Sequence, residues 1–186
     1  MTPTPRHLVL VGLMGSGKST VARRLSQRLH HTMVDLDAVV EARAGCTIAE
    51  LFARNGEAAF RDMESRVLAA QLASPEPSVI ATGGGAVVRE NNRRALAEAR
   101  DVRVVWLDAR PEDLVRRVGA TAASRPLLAD DPRGALERLD RERRALYGEV
   151  ADHRIDTAGR SLDEVADAVD TWWRMQCRSG GEEEAS

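Results

Sequence analysis

His7-Leu8-Val9-Leu10-Val11-Gly12-Leu13-Met14-Gly15-Ser16-Gly17-Lys18-Ser19-Thr20-Val21 is the stretch that decides the fold. Its first five residues are an apolar run suited to a buried parallel strand. The next eight fit G-x-x-x-x-G-K-[ST], whose backbone N–H groups wrap phosphate oxygens while the lysine reaches the β- and γ-phosphates and the hydroxyl meets Mg²⁺. Beyond it Val21, Leu25 and Leu29 recur at helical spacing. Strand, glycine loop and helix in that order aim a helix N-terminus, with its partial positive charge, at the bound anion. Lys18 is also the single lysine of a chain whose Lys and Arg total 27. An ammonium is compact, whereas a guanidinium is a wide planar fork, so the two are not interchangeable at this point.

Working outward, apolar strand patterns occur at 7–11, 32–35, 78–82, 102–107 and 152–156. Helical patterns fill the gaps at 18–29, 37–44, 48–53, 57–73, 91–98, 111–118, 132–148 and 162–176. Capping boxes mark two starts, Thr47-x-x-Glu50 and Ser161-x-x-Glu164. Regular alternation of this kind predicts an α/β protein, a three-layer α/β/α sandwich around a five-stranded parallel sheet. The 186 residues suit a single domain, expected over 1–178, with a disordered acidic tail at 179–186. Residues 119–131 have small side chains and no period, and a loop of that length in a compact domain reads as a lid. Within it, Arg125-Pro126-Leu127-Leu128 could bring one guanidinium over a phosphate and exclude water.

Bulk properties exclude several classes. The net charge of −2 and 3% aromatic content give neither the basic field nor the stacking surface of a nucleic-acid binder. No long apolar segment suits a membrane, and Met1–Arg6 lacks the apolar core of a signal peptide. Cys46 and Cys177 are isolated, as expected of free thiols in a reducing compartment, and the four histidines show no zinc spacing. A cytoplasmic protein, monomeric by default, is expected.

Ligands of an open parallel sheet bind at the carboxyl ends of its strands. Three polar groups fall there after the P-loop. Asp35 and Asp37 point the same way if their strand continues that far, and suit a water-mediated Mg²⁺ contact and a base for an attacking hydroxyl respectively. The alternative is helix capping. Gly83-Gly84-Gly85 at the end of the 78–82 strand suggests close approach of a ligand to the backbone. Asp108, closing Val104-Val105-Trp106-Leu107-Asp108, competes with Asp35 for the metal role or caps the next helix. Arg61 has Glu64 three residues on to hold it. Arg143 and Arg144 precede Ala145-Leu146-Tyr147, but spacing alone does not make separated arginines converge. No Asn-Lys-x-Asp guanine reader and no Leu-Ser-Gly-Gly transporter signature occurs.

Taken in order, Gly12–Thr20, Asp35-x-Asp37, Phe60-Arg61-x-x-Glu64, Gly83-Gly84-Gly85, Arg125-Pro126-Leu127-Leu128 and Arg143-x-x-Leu146-Tyr147 resemble the shikimate kinases over about residues 7–175. That resemblance implies a P-loop kinase with a lid and a substrate-binding helical subregion. It also implies transfer of the ATP γ-phosphate, with Mg²⁺, to the 3-hydroxyl of shikimate. It assigns Gly15, Ser16, Gly17, Lys18, Ser19 and Thr20 to ATP, together with Arg117, Arg125 and Arg160. Shikimate falls to Asp37, Arg61, Gly83, Gly84, Gly85 and Arg143; the metal falls to Ser19 and Asp35; catalysis falls to Lys18, Asp37 and Arg125. The family pattern has proline where this chain has Ala145, and the distance to Leu146-Tyr147 selects Arg143 over Arg144. The rivals are another small-metabolite kinase, such as a gluconate kinase-like enzyme, and a non-catalytic ATP-binding module. The triple glycine with Phe-Arg-x-x-Glu argues against the first, and Asp37 against the second.

Overall fold

The computed structural model describes residues 4–118 and 131–181. The chain runs β1 (His7–Val11), α1 (Lys18–Leu29), β2 (Thr32–Asp35), α2 (Leu36–Ala44), α3 (Ile48–Leu72), β3 (Ser78–Ala81), α4 (Glu90–Glu98), β4 (Val102–Asp108), α5 (Pro111–Val118), α6 (Pro132–Val150), β5 (His153–Asp156) and α7 (Leu162–Gly181), with a 3₁₀ turn at Ala86–Val88. The strands form a parallel sheet in the order β2-β3-β1-β4-β5. As expected, the architecture is α/β/α with five parallel strands.

Strand alternation divides the core between the two faces of the sheet. Leu8 and Leu10 of β1 pack with Val21 and Leu25 of α1 and with Val165, Val169, Trp172 and Trp173 of α7. Val9 and Val11 point the other way, to Leu36, Phe60, Val67, Leu68, Leu96, Leu114, Leu136 and Tyr147 from α2 to α6. The tryptophan pair is therefore core. α7 runs to Gly181, so residues 179–181 are helical and not part of a disordered tail; Cys177 still packs on the core and carries the helix past 176. The lid expected at 119–131 falls, except for Asp131, outside the described residues. Asp131 caps α6 by accepting from the Gly134 N–H at 3.0 Å.

Two local outcomes shape the site. β2 stops at Asp35, whose carboxylate accepts from the N–H groups of Asp37 and Ala38 and starts α2. The strand does not continue to Asp37 as the alternation argument required; the cap wins, and Asp37 sits in the first turn of α2. Within α3, Gly56 is non-helical (φ 79°, ψ 172°), so the helix breaks into 48–55 and 57–72, as its sequence pattern predicts.

Candidate active site

A cleft of about 1020 Å³ runs along the carboxyl end of the sheet. One end is built by the P-loop. Gly17 caps α1 at φ 95°, a backbone conformation that strains any residue with a side chain, and its bare Cα lies against Leu162 of α7. No side chain caps α1, which leaves its first N–H groups directed at the loop. Lys18 is 7% exposed, and its Nζ donates to the carbonyls of Gly12 and Leu13, both at 2.8 Å. Gly15, Gly17, Lys18, Ser19 and Thr20 line the cleft, with Arg160, Ser161 and Leu162 across from them. Ser16 is fully buried, with its hydroxyl 3.5 Å from Lys18 Nζ.

The other end gathers residues from α2, α3, β3 and α6. Arg61 is 5% exposed, stands over the Phe60 ring at 5.0 Å, and is held by two carboxylates of its own helix. Its Nη1 donates to Glu64 Oε2 at 2.8 Å, and its Nε and Nη2 donate to Glu57 Oε1 at 3.2 and 3.1 Å. Burial works against the guanidinium's charge, but Glu64 and Glu57 outweigh it and raise its pKa. Glu64 is fully buried, and burial raises its pKa against the pull of Arg61. Its Oε1 has no hydrogen-bond partner.

The triple glycine is a matter of space. A Cβ on Gly83 would lie 2.6 Å from Glu64 Oε1 and 2.8 Å from Asp37 Oδ1, and one on Gly85 would collide with the Arg61 guanidinium. A Cβ on Gly84 would press the Met14 N–H at 3.1 Å, which places this turn against the P-loop. The Gly84 carbonyl accepts from Arg143 Nη1 at 3.1 Å and from the Tyr147 hydroxyl at 2.5 Å. Arg143 is 6% exposed, and its Nε is buried without a hydrogen-bond partner. Two guanidiniums thus line this end of the cleft, with a carboxylate, Asp37, beside them.

Asp37, Arg61, Gly83, Gly84, Gly85 and Arg143 all line this cleft together with the P-loop. Arg143 turns to Gly84 and lines the cleft, whereas Arg144 turns to Asp108. Asp35 serves as the α2 cap and does not line the cleft. Asp108 does not line it either; Arg144 and Arg154 occupy both of its carboxylate oxygens. Arg117 belongs to α5, but its side chain, like the whole of Arg125, lies outside the described residues. Sequence reasoning gave Glu64 only the task of holding Arg61. Its +3 spacing signalled that contact, but nothing in the sequence signalled its full burial beside Asp37 and Gly83. Ile48, Phe52 and Thr82 also line the cleft and carried no signal beyond core periodicity.

Among the described residues no three His, Cys, Asp or Glu side chains cluster as metal ligands. The oxygen donors at the phosphate end, led by the Ser19 hydroxyl, suit a hard cation that keeps water and phosphate oxygens in its shell, and so fit Mg²⁺. No described helix is long and apolar enough to cross a membrane.

A parallel sheet carrying a P-loop at its central strand, with Asp37, Arg61 and Arg143 lining the same cleft, has the fold of the P-loop kinases. Residues 14–172 match the family model described as shikimate kinase. The shikimate kinase of Symbiobacterium thermophilum is 50% identical over 161 residues, covering 86% of this chain and 91% of that protein. The shikimate kinase of a Synechococcus strain is 45% identical over 165 residues, covering 88% of this chain and 84% of its own length. Among solved structures, shikimate kinase from Acinetobacter baumannii in complex with shikimate superposes with a TM-score of 0.85 at 34% identity, over 91% of this chain and 93% of that one. The chain belongs to the shikimate kinase family.

Proposed function

We propose that this chain transfers the γ-phosphoryl group of ATP to the 3-hydroxyl of shikimate. The observation that carries the proposal is that one cleft holds both Lys18 and the P-loop and Asp37, Arg61, Arg143 and the triple glycine. Shikimate is a carboxylate with ring hydroxyls. Arg61 and Arg143 grip its carboxylate; paired forks match a carboxylate in a bidentate way. With the carboxylate fixed, the ring hydroxyls face Asp37 and the backbone of Gly83–Gly85. Phosphoryl transfer asks the protein mainly for alignment and charge neutralisation.

Asp37 accepts the proton of the attacking hydroxyl as its oxygen bonds to the γ-phosphorus, and the bond to the β–γ bridging oxygen breaks, leaving ADP. The P-loop N–H groups from Gly15 to Thr20 hold the phosphates, and Lys18 follows the charge that develops on them. The Ser19 hydroxyl would hold Mg²⁺, which would supply neutralisation of phosphate charge; the water-mediated contact of Asp35 rests on the family resemblance alone, since its carboxylate caps α2. Arg125 is assigned to the phosphates, and Arg117 and Arg160 to the adenine side. We place the enzyme in the cytoplasm as a monomer; the isolated thiols support the compartment, and gel filtration tests the state. The function is tested by supplying ATP, Mg²⁺ and a panel of polyol acids and recording ADP release. Shikimate alone is expected to support turnover. Release that is independent of acceptor, or that prefers gluconate, would overturn the assignment.

A further inference from the structure

Beside the cleft lies a cluster that the mechanism leaves unused. Asp108, at the end of β4, is 5% exposed and accepts from Arg144 through both oxygens: Nη1 to Oδ1 at 3.0 Å and Nη2 to Oδ2 at 2.7 Å. Arg154, from β5, donates Nε to the same Oδ2 at 2.8 Å. Both guanidiniums stand over the Trp106 ring, each with Cζ 5.1 Å from its centroid. The indole in turn stacks on Tyr147 at 5.8 Å and 29°. Asp108, Arg144 and Arg154 therefore clasp the ends of β4 and β5 to the middle of α6.

We infer that Arg144, through its two-pronged bond to Asp108, is a positioning residue for the acceptor clamp. The inference rests on the reading of Arg143 as a clamp residue. Arg143 and Tyr147 are four apart, share one face of α6, and meet at the Gly84 carbonyl. Arg144 leaves the helix about 100° further round and reaches the sheet instead. Attachment at a second azimuth adds to the core packing of Leu136, Leu139 and Tyr147 in holding the rotation of α6 about its own axis. A turn of about 10° at a radius of about 6 Å moves a helix side chain by about 1 Å. A misplacement of that size loosens a two-pronged grip on a carboxylate, whose paired bonds depend on a fixed planar geometry, and so weakens acceptor binding. The planar fork is essential to this role, because a lysine would make one movable bond where arginine makes two in a plane.

The test is steady-state kinetics of Arg144→Met and Arg144→Lys beside Arg143→Gln. Replacing Arg144 leaves Asp108 Oδ2 paired with Arg154, so the buried carboxylate keeps one guanidinium while its Oδ1 and Asp140 lose Arg144. Arg144→Met is expected to raise the shikimate KM about tenfold while kcat and the ATP KM stay within about twofold, and Arg144→Lys to fall between. Should the methionine variant fail to give a native circular-dichroism spectrum, the lysine variant alone carries the comparison. A shikimate KM that is unchanged in both Arg144 variants, while Arg143→Gln raises it, overturns the inference alone. Parallel losses in kcat and both KM values also overturn it, since they mark a general structural role. An unchanged shikimate KM in Arg143→Gln overturns the clamp reading and the inference with it.

Discussion

Gly85 has no side chain because the Arg61 guanidinium stands where one would be, and Gly83 has none because Asp37 and Glu64 do. At this scale the site is a set of mutual exclusions. The residue types could be read from sequence; their contacts could not. Phe-Arg-x-x-Glu declares that Glu64 can hold Arg61, because three residues along a helix bring side chains together. It does not declare that Glu64 is fully buried, with one oxygen unpartnered. Arg143 and Arg144 were separable only through their distance to Leu146-Tyr147, and the structure sends them to opposite partners. Asp35 and Asp37 have the same chemistry, and the contest between strand continuation and capping decides their roles. If Asp37 is the base, Asp37→Asn should lower kcat by about 10²-fold or more while ATP affinity is retained. A variant with near-normal turnover would remove Asp37 from the chemistry.

At the scale of elements, the strands and helices were legible almost to their ends, because local signals agreed with tertiary ones. Both capping boxes form: Glu50 and Glu164 accept from the N–H groups of Thr47 and Ser161, which accept in return. The exceptions sit where a helix end depends on packing, as at α7. The most consequential element boundary is internal. Gly56 adopts φ 79° and ψ 172°, a region that is essentially glycine's alone. The break lets 48–55 turn Ile48 and Phe52 into the cleft while 57–72 presents Phe60, Arg61 and Glu64. Nothing lies within 4 Å of a Cβ built there, so a substitution would meet backbone strain alone. Gly56→Ala should therefore cost about 1–3 kcal/mol of stability. Chemical denaturation measures this, and an unchanged midpoint would show that the break is not strained.

At the scale of the molecule, the chemistry occupies the carboxyl end of the sheet, and a buried histidine marks the opposite end. His7 is fully buried; its Nδ1 pairs with Ser78 Oγ at 2.8 Å and its Nε2 with the Ser74 carbonyl at 3.1 Å. Burial lowers its pKa from 6.5, so the folded state prefers the neutral ring. The stability this gives is complete above the unfolded value of about 6.5 and is lost as pH falls through the lowered value. Urea midpoints between pH 7.5 and 5.5 should therefore drop more in the wild type than in His7→Gln; equal drops would contradict the assignment. The five-stranded parallel sheet and the two-faced core followed from strand–helix alternation, whereas the strand order β2-β3-β1-β4-β5 did not. The meeting of four elements at one pocket did not, because convergence is a property of the whole fold. The most direct test of that convergence is titration of shikimate into the wild type, Arg61→Ala and Arg143→Gln, with ATP affinity as the control. Each variant should lose about 2–5 kcal/mol of shikimate affinity and bind ATP as before; undiminished shikimate binding in either would mean that the pocket is not where shikimate is held.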